Sequence, residues 1–299
     1  MPRMTAHDFD QELLILFDAY VHGGIDRRTF LERAAKFAVG GVTAAMLLEQ
    51  LSPNFAAAQV VRTDDARINP EYVEFDSPAG YGKGRGYLVR PSGATGRLPG
   101  ILVIHENRGL NPHIEDIARR LSLDSFVAFA PDALFPLGGY PGEEDRARTL
   151  FPQLDRDKTR EDFVAAARFL KGRPECTGRI GAVGFCYGGG MVNYLATRLG
   201  ADLLAGVAFY GSAPDLEEVP KIKARMLIQS AEVDERINAS WPAYEAALKA
   251  AGVSYQRYLY PGTQHGFNND TTPRYDAEAA RLAWSRTVAL FNSAVRAGG

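Results

Sequence analysis

Ile180-Gly181-Ala182-Val183-Gly184-Phe185-Cys186-Tyr187-Gly188 is the stretch on which the reading of this chain turns. The apolar run from Arg179 to Val183 predicts a short buried strand. The glycines that follow predict a sharp turn into a helix, with Cys186 at its tip. This is the pattern of a nucleophile elbow, with cysteine where serine is more usual. Residues two places either side of the nucleophile must be small, and Gly184 and Gly188 satisfy that. A thiol at a helix N-terminus faces unpaired backbone N–H groups and the positive end of the helix dipole. Both favour a thiolate and can receive an oxyanion. The plainer alternative is a glycine-rich strand–turn–helix around a buried, inert cysteine.

Outward from the elbow, apolar runs alternate with amphipathic stretches. Strands are expected at 72–76, 86–90, 100–104, 126–130, 180–183, 203–209, 225–229 and 255–260. The first two should pair antiparallel through a Gly-rich turn. Helices are expected at 113–123, 157–171, 189–199, 239–251 and 274–295, with a shorter one within 143–153. Alternation of this kind predicts an α/β fold: a doubly wound, mostly parallel central sheet with helices on both faces, in a single domain over 59–299.

The net charge of −2 gives no basis for a nucleic-acid or anionic-membrane surface. No apolar run is long enough for a permanent membrane span. Two cysteines, Cys176 and Cys186, make no disulfide framework. No Cys/His spacing marks a metal site; His105-Glu106 lacks the second histidine of a zinc-protease motif. No cofactor is expected. The glycines around 181–190 do not spell a dinucleotide fingerprint, which sets aside a nucleotide-binding protein.

Residues 1–58 differ in character from the rest. Asp26-Arg27-Arg28-Thr29-Phe30-Leu31 matches a twin-arginine export pattern, a small and apolar stretch follows from Ala34 to Leu48, and Ala56-Ala57-Ala58 resembles a cleavage site. This predicts an export leader and a periplasmic or secreted protein. Against it stand Asp8, Asp10, Glu12, Asp18 and the interrupting Lys36. The competing expectation is a retained helical arm, since Leu13, Leu14, Leu16, Phe17, Tyr20 and Val21 fall at helical spacing.

An elbow nucleophile needs a base, and the base an orienting acid, each on a loop after a strand. Asp234 follows the strand ending at Gln229; His265 follows the strand ending at Tyr260. His265 would take the thiol proton and later activate water; Asp234 would hold the imidazole. Glu232 and Glu235 are rivals for the acid. Of five histidines, His7 and His22 lie in the N-terminal segment, and His105 and His113 flank the loop after the third strand. His265 is the one placed as base. The oxyanion would rest between the backbone N–H groups of Tyr187 and Asn107.

These residues resemble the dienelactone hydrolases, α/β-hydrolases with a Cys-Asp-His triad, over about residues 70–295. The resemblance rests on Gly184-Phe185-Cys186-Tyr187-Gly188-Gly189, Glu106, Pro131-Asp132, Asp234, Tyr260-Pro261-Gly262 and His265-Gly266-Phe267. It implies that Glu106 hydrogen-bonds the resting thiol and helps deprotonate it. The two arginines that hold the substrate carboxylate in that family are missing. One stretch reads Asp132-Ala133-Leu134-Phe135-Pro136-Leu137, and the other position is Asn269. Arg108, Phe135 and Tyr140 are then the candidate pocket residues, and a less charged ester, lactone or thioester is the expected substrate. The alternatives are an acyltransferase or peptidase using the same triad, and a non-catalytic exported binding protein on a hydrolase fold.

Overall fold

Along Leu98–Ile104 alternate side chains serve two separate cores: Ile101 and Val103 face one, Leu102 and Ile104 the other. A strand buried on both faces needs helices on both sides of its sheet. The computed structural model, which describes residues 4–296, has that architecture. The strands are β1 Ile68–Ser77, β2 Gly82–Pro91, β3 Leu98–Ile104, β4 Val127–Pro131, β5 Cys176–Phe185, β6 Leu203–Phe209, β7 Arg225–Val233 and β8 Tyr255–Gln264. They form one eight-stranded sheet in the order β1-β2-β4-β3-β5-β6-β7-β8. The β1–β2 and β2–β4 pairs are antiparallel, and every later pair is parallel.

The helices are α1 Gln11–Val21, α2 Arg27–Ala34, α3 Ala44–Leu51, α4 Phe55–Ala58, α5 Pro112–Leu123, α6 Glu144–Leu150, α7 Arg156–Gly172, α8 Tyr187–Leu199, α9 Glu235–Asn238, α10 Trp241–Ala250 and α11 Ala277–Phe291. One core holds Phe163 and Leu170 of α7, Val192 and Leu195 of α8 and Leu248 of α10. The opposite core holds Ile114, Ile117 and Leu121 of α5 with Ala283 and Phe291 of α11. The sheet is thus sandwiched, and its parallel strands deliver their C-terminal ends to one edge.

Residues 10–58 fold as an arm of short helices. Asp10, Asp26, Thr43 and Asn54 each cap a helix N-terminus with a side-chain oxygen. The arm owns a third core, built from Leu13, Leu14, Phe17, Tyr20, Phe30, Ala34, Leu47, Leu48 and Leu51. Arg27 of the Arg-Arg pair is hydrogen-bonded to Asp145, which also accepts from the Tyr20 hydroxyl; Arg28 pairs with Glu32. Among the described residues no helix is long and apolar enough to cross a membrane.

Candidate active site

β5 ends at Phe185, α8 begins at Tyr187, and Cys186 alone makes the turn, at φ 54° and ψ −112°. A positive φ in a non-glycine residue is strained, and here the surroundings hold it. The Cys186 N–H donates to Phe209 O at 3.0 Å, and the Gly190 N–H donates to Cys186 O at 3.2 Å. Gly188 is obligatory for a steric reason: a Cβ there would stand 2.2 Å from Ile104 O. The α8 N-terminus, with its unpaired N–H groups, therefore abuts the end of β3, and Tyr187 N–H lies in that first turn.

Asp234 and His265 arrive from neighbouring parallel strands. Asp234 follows β7 directly, and His265 follows β8 directly. His265 Nδ1 lies 2.5 Å from Asp234 Oδ2, and both side chains are buried. The other ring nitrogen, Nε2, is buried, has no hydrogen-bond partner and lies within 4.8 Å of Cys186 Sγ. The Tyr210 ring packs on the imidazole at 4.9 Å between centroids. Glu232 accepts from the Gly262 N–H and is spent on the loop backbone.

The electrostatics follow from this packing. Burial opposes the Cys186 thiolate, yet the neighbouring His265 and His22 charges prevail and bring the thiol down to about 6. Burial likewise opposes the His265 imidazolium, and the Cys186 thiolate and Asp234 prevail, raising it to about 10. Each shift favours the charged form of its own group, the direction in which a thiolate–imidazolium pair forms. Cys176 behaves oppositely: it is fully buried in the sheet core, and burial raises its thiol.

His22 stands where sequence reasoning placed nothing. Its Nε2 lies 3.4 Å from Cys186 Sγ, and its ring is edge-on to His265 at 4.7 Å. Its Nδ1 faces Asp18 O at 2.8 Å and Asp18 Oδ1 at 3.2 Å. Asp18 is held in turn by Arg274 at 3.0 Å. Just before His22, the Val21 carbonyl accepts from Asn107 Nδ2 at 3.1 Å and from Arg108 at 2.7 Å. The arm is also hooked on by Asn54 N–H to Thr271 O and by Gln264 to Gln11.

The cavity over the thiol is what the arm leaves. It is lined by Tyr20, Val21, His22, Glu106, Arg108 and Arg274 around Cys186 and His265, with about 60 Å³ inside. Ligand pockets commonly measure some 300–1,000 Å³, so this one is filled largely by protein. Phe135 and Tyr140 do not line it. Phe135 lies under the Arg85 guanidinium, and the Tyr140 hydroxyl donates to Glu144 at 2.9 Å. Arg108 lines the cavity but is buried and committed to Val21 and Asn107, with Glu144 at 3.8 Å. Glu106 accepts from Asn269 Nδ2 at 3.0 Å, so the asparagine at the missing arginine's position holds this carboxylate. Arg274 was expected to open the last helix; α11 begins later, at Ala277, and Arg274 reaches the cavity from the preceding loop. His105 is fully buried, accepts from the Ala133 N–H and is structural. His113 pairs with Asp270 at 3.2 Å, away from the thiol.

The model of the dienelactone hydrolase family matches residues 85–295. The chain belongs to that family. It is therefore a hydrolase acting on ester or lactone bonds, with a small-molecule substrate. A second model, described as YqhI-like, matches residues 1–36. A protein provisionally named a carboxymethylenebutenolidase from Synechocystis is 31% identical, over 71% of this chain and 92% of its own length. Protein usf of Aquifex pyrophilus is 34% identical, over 70% of this chain and 93% of its own. An Escherichia coli hydrolase fragment, YghX, is 48% identical over 114 residues, covering 38% of this chain and 97% of its own. Among solved structures, a provisionally assigned dienelactone hydrolase from Klebsiella pneumoniae superposes with a TM-score of 0.66 at 27% identity. It covers 75% of this chain and 98% of its own. These matches agree with the α/β-hydrolase fold expected from the elbow.

Proposed function

We propose that this hydrolase works through an acyl-enzyme on Cys186, with His265 as base and Asp234 as its orienter, and that its substrate is a small, weakly charged ester or lactone. The observation that carries the reading is the 2.5 Å Asp234–His265 contact behind a thiol held at a strained strand–helix turn. The thiolate attacks the carbonyl carbon, and the developing oxyanion is received at the α8 N-terminus by Tyr187 N–H, with Asn107 N–H as second donor. The His265 imidazolium gives its proton to the departing alkoxide. As free imidazole it then takes a proton from water, whose oxygen attacks the acyl carbon and restores the thiol. Asp234 keeps the ring oriented and stabilises its charge throughout. Glu106, bonded to Asn269 at 3.0 Å on the cavity wall and not to the thiol, would act on Cys186 only after leaving that partner.

The preference for weak charge rests on the engagement of the two guanidiniums that line the cavity, Arg108 by Val21 O and Arg274 by Asp18. The test is turnover of a chromogenic short-chain ester by wild type and Cys186→Ala. The substitution is expected to lower kcat/KM by at least about a thousandfold. Equal rates would end the cysteine reading for that substrate class.

A further inference from the structure

We propose that His22, Cys186 and His265 together form a binding site for zinc, closed by the N-terminal arm. Three ligand atoms converge: His22 Nε2, Cys186 Sγ and His265 Nε2 lie within 4.8 Å of one another, the first two 3.4 Å apart. Ligand atoms placed tetrahedrally at zinc–ligand distances of about 2.0–2.3 Å stand about 3.3–3.6 Å from each other. The His22–Cys186 pair stands at that spacing, and the widest pair has to draw in by about 1 Å to reach it.

Each imidazole is also held from behind as a zinc-bound histidine is. His265 Nδ1 is on Asp234 Oδ2 at 2.5 Å, and His22 Nδ1 is on Asp18 O at 2.8 Å with Asp18 Oδ1 at 3.2 Å. Such carboxylate–histidine pairs fix the tautomer that leaves Nε2 free for a metal. Asp18 is shared with Arg274 at 3.0 Å, and the His265 Nε2 is buried facing the thiol. The 60 Å³ left in the cavity has room for a fourth ligand such as water. A soft thiolate with two imidazoles selects zinc-like metals over magnesium or calcium. The opposing group is Arg236, whose guanidinium reaches His22 Nε2 at 3.2 Å from an exposed position. It would swing into solvent on binding, and the imidazolium proton would pass to the buffer. Zinc at this site would tie the arm to the thiol and withhold it from substrate.

The site shares its thiol with the proposed nucleophile, but its test reads binding without turnover. The full chain, freed of metal, is titrated with Co²⁺, whose thiolate bond gives a charge-transfer absorption in the near ultraviolet, and the cobalt is then displaced with Zn²⁺. One equivalent should bind; Cys186→Ser should lose the band, and Cys176→Ser should keep it. Removing a residue behind a ligand commonly costs about 10–100-fold in affinity, so His22→Ala should cost at least tenfold. His22→Cys, which returns a ligand, should restore affinity and strengthen the band. A band that survives Cys186→Ser, or equal affinity in wild type and His22→Ala, would overturn the site. So would weak binding by His22→Cys. Ester turnover in chelator judges the nucleophile separately: activity surviving Cys186→Ala would sink the mechanism and leave the metal titration standing.

Discussion

Two histidines meet one thiol, and they arrive by different means. His265 is carried by the sheet: β7 and β8 lie parallel, with a bulge near their ends, and the loops that follow bring Asp234 and His265 together. His22 is carried by an arm with its own small core, seated on the sheet domain through polar contacts at Asn107, Arg108, Asp145 and Arg274. The first arrangement is tied to the most buried part of the molecule. The second rests on a core separate from the two that flank the sheet. A group needed in every turnover belongs on the first kind of support, and a group that must come and go belongs on the second.

The largest test of this contrast compares the two histidines in ester hydrolysis without added metal. His265→Ala should cost about a thousandfold or more in kcat/KM. His22→Ala should stay within about tenfold of wild type, in either direction. Comparable losses from both would erase the distinction.

Next in size is the stability of the arm. Phe30 is fully buried in the arm core against Phe17 and Tyr20. Phe30→Ala should remove about 3–5 kcal/mol from that core. Limited proteolysis should then cut within residues 10–58 while the main melting transition hardly moves. A matching drop in that transition would mean that arm and sheet fold as one unit.

The smallest effect is electrostatic. Alkylation of Cys186 by iodoacetamide should rise with pH through a midpoint near 6, well below the ordinary thiol value of 9. The sign follows from linkage. A thiol whose folded value is depressed contributes stability in full above 9 and loses it as pH falls through 6. His22→Ala should move the midpoint upward, because one of the two neighbouring charges is gone, and His265→Ala should move it further. An unmoved midpoint in both variants would assign the activation to the helix dipole instead.

Much of this was legible beforehand because the residues that build it are neighbours in sequence. The run Leu203–Phe209 is apolar throughout and is a strand to the residue. Cys186 announces its turn through Gly184 and Gly188, each of which would place a Cβ against backbone. The sequence predicts β5 only over 180–183, since Cys176-Thr177-Gly178-Arg179 carries little apolar signal, yet the strand opens at Cys176, which pairs with Leu98 of β3. The sequence predicts an end of β8 at Tyr260, since Pro261-Gly262 reads as a stop; the strand instead resumes beyond a bulge, with Val233 opposite Gln264. His22 could not be found this way. Nothing local to residue 22 signals a thiol lying 164 residues further along the chain. Asp18 at i−4 was the available hint, an acid on the same helix face that holds the ring.

The Val21 carbonyl is the last of α1, at the negative end of a helix, and such an oxygen is without a partner inside its own helix. Asn107 and Arg108 supply that partner, so two donors at the mouth of the site are already occupied before any substrate arrives. The helix end behaves as a built-in competitor. An incoming acyl group gains these donors only by offering an oxygen at least as attractive as a helix-terminal carbonyl. The exchange is charged to affinity, and the rate of bond cleavage on the bound complex is left untouched.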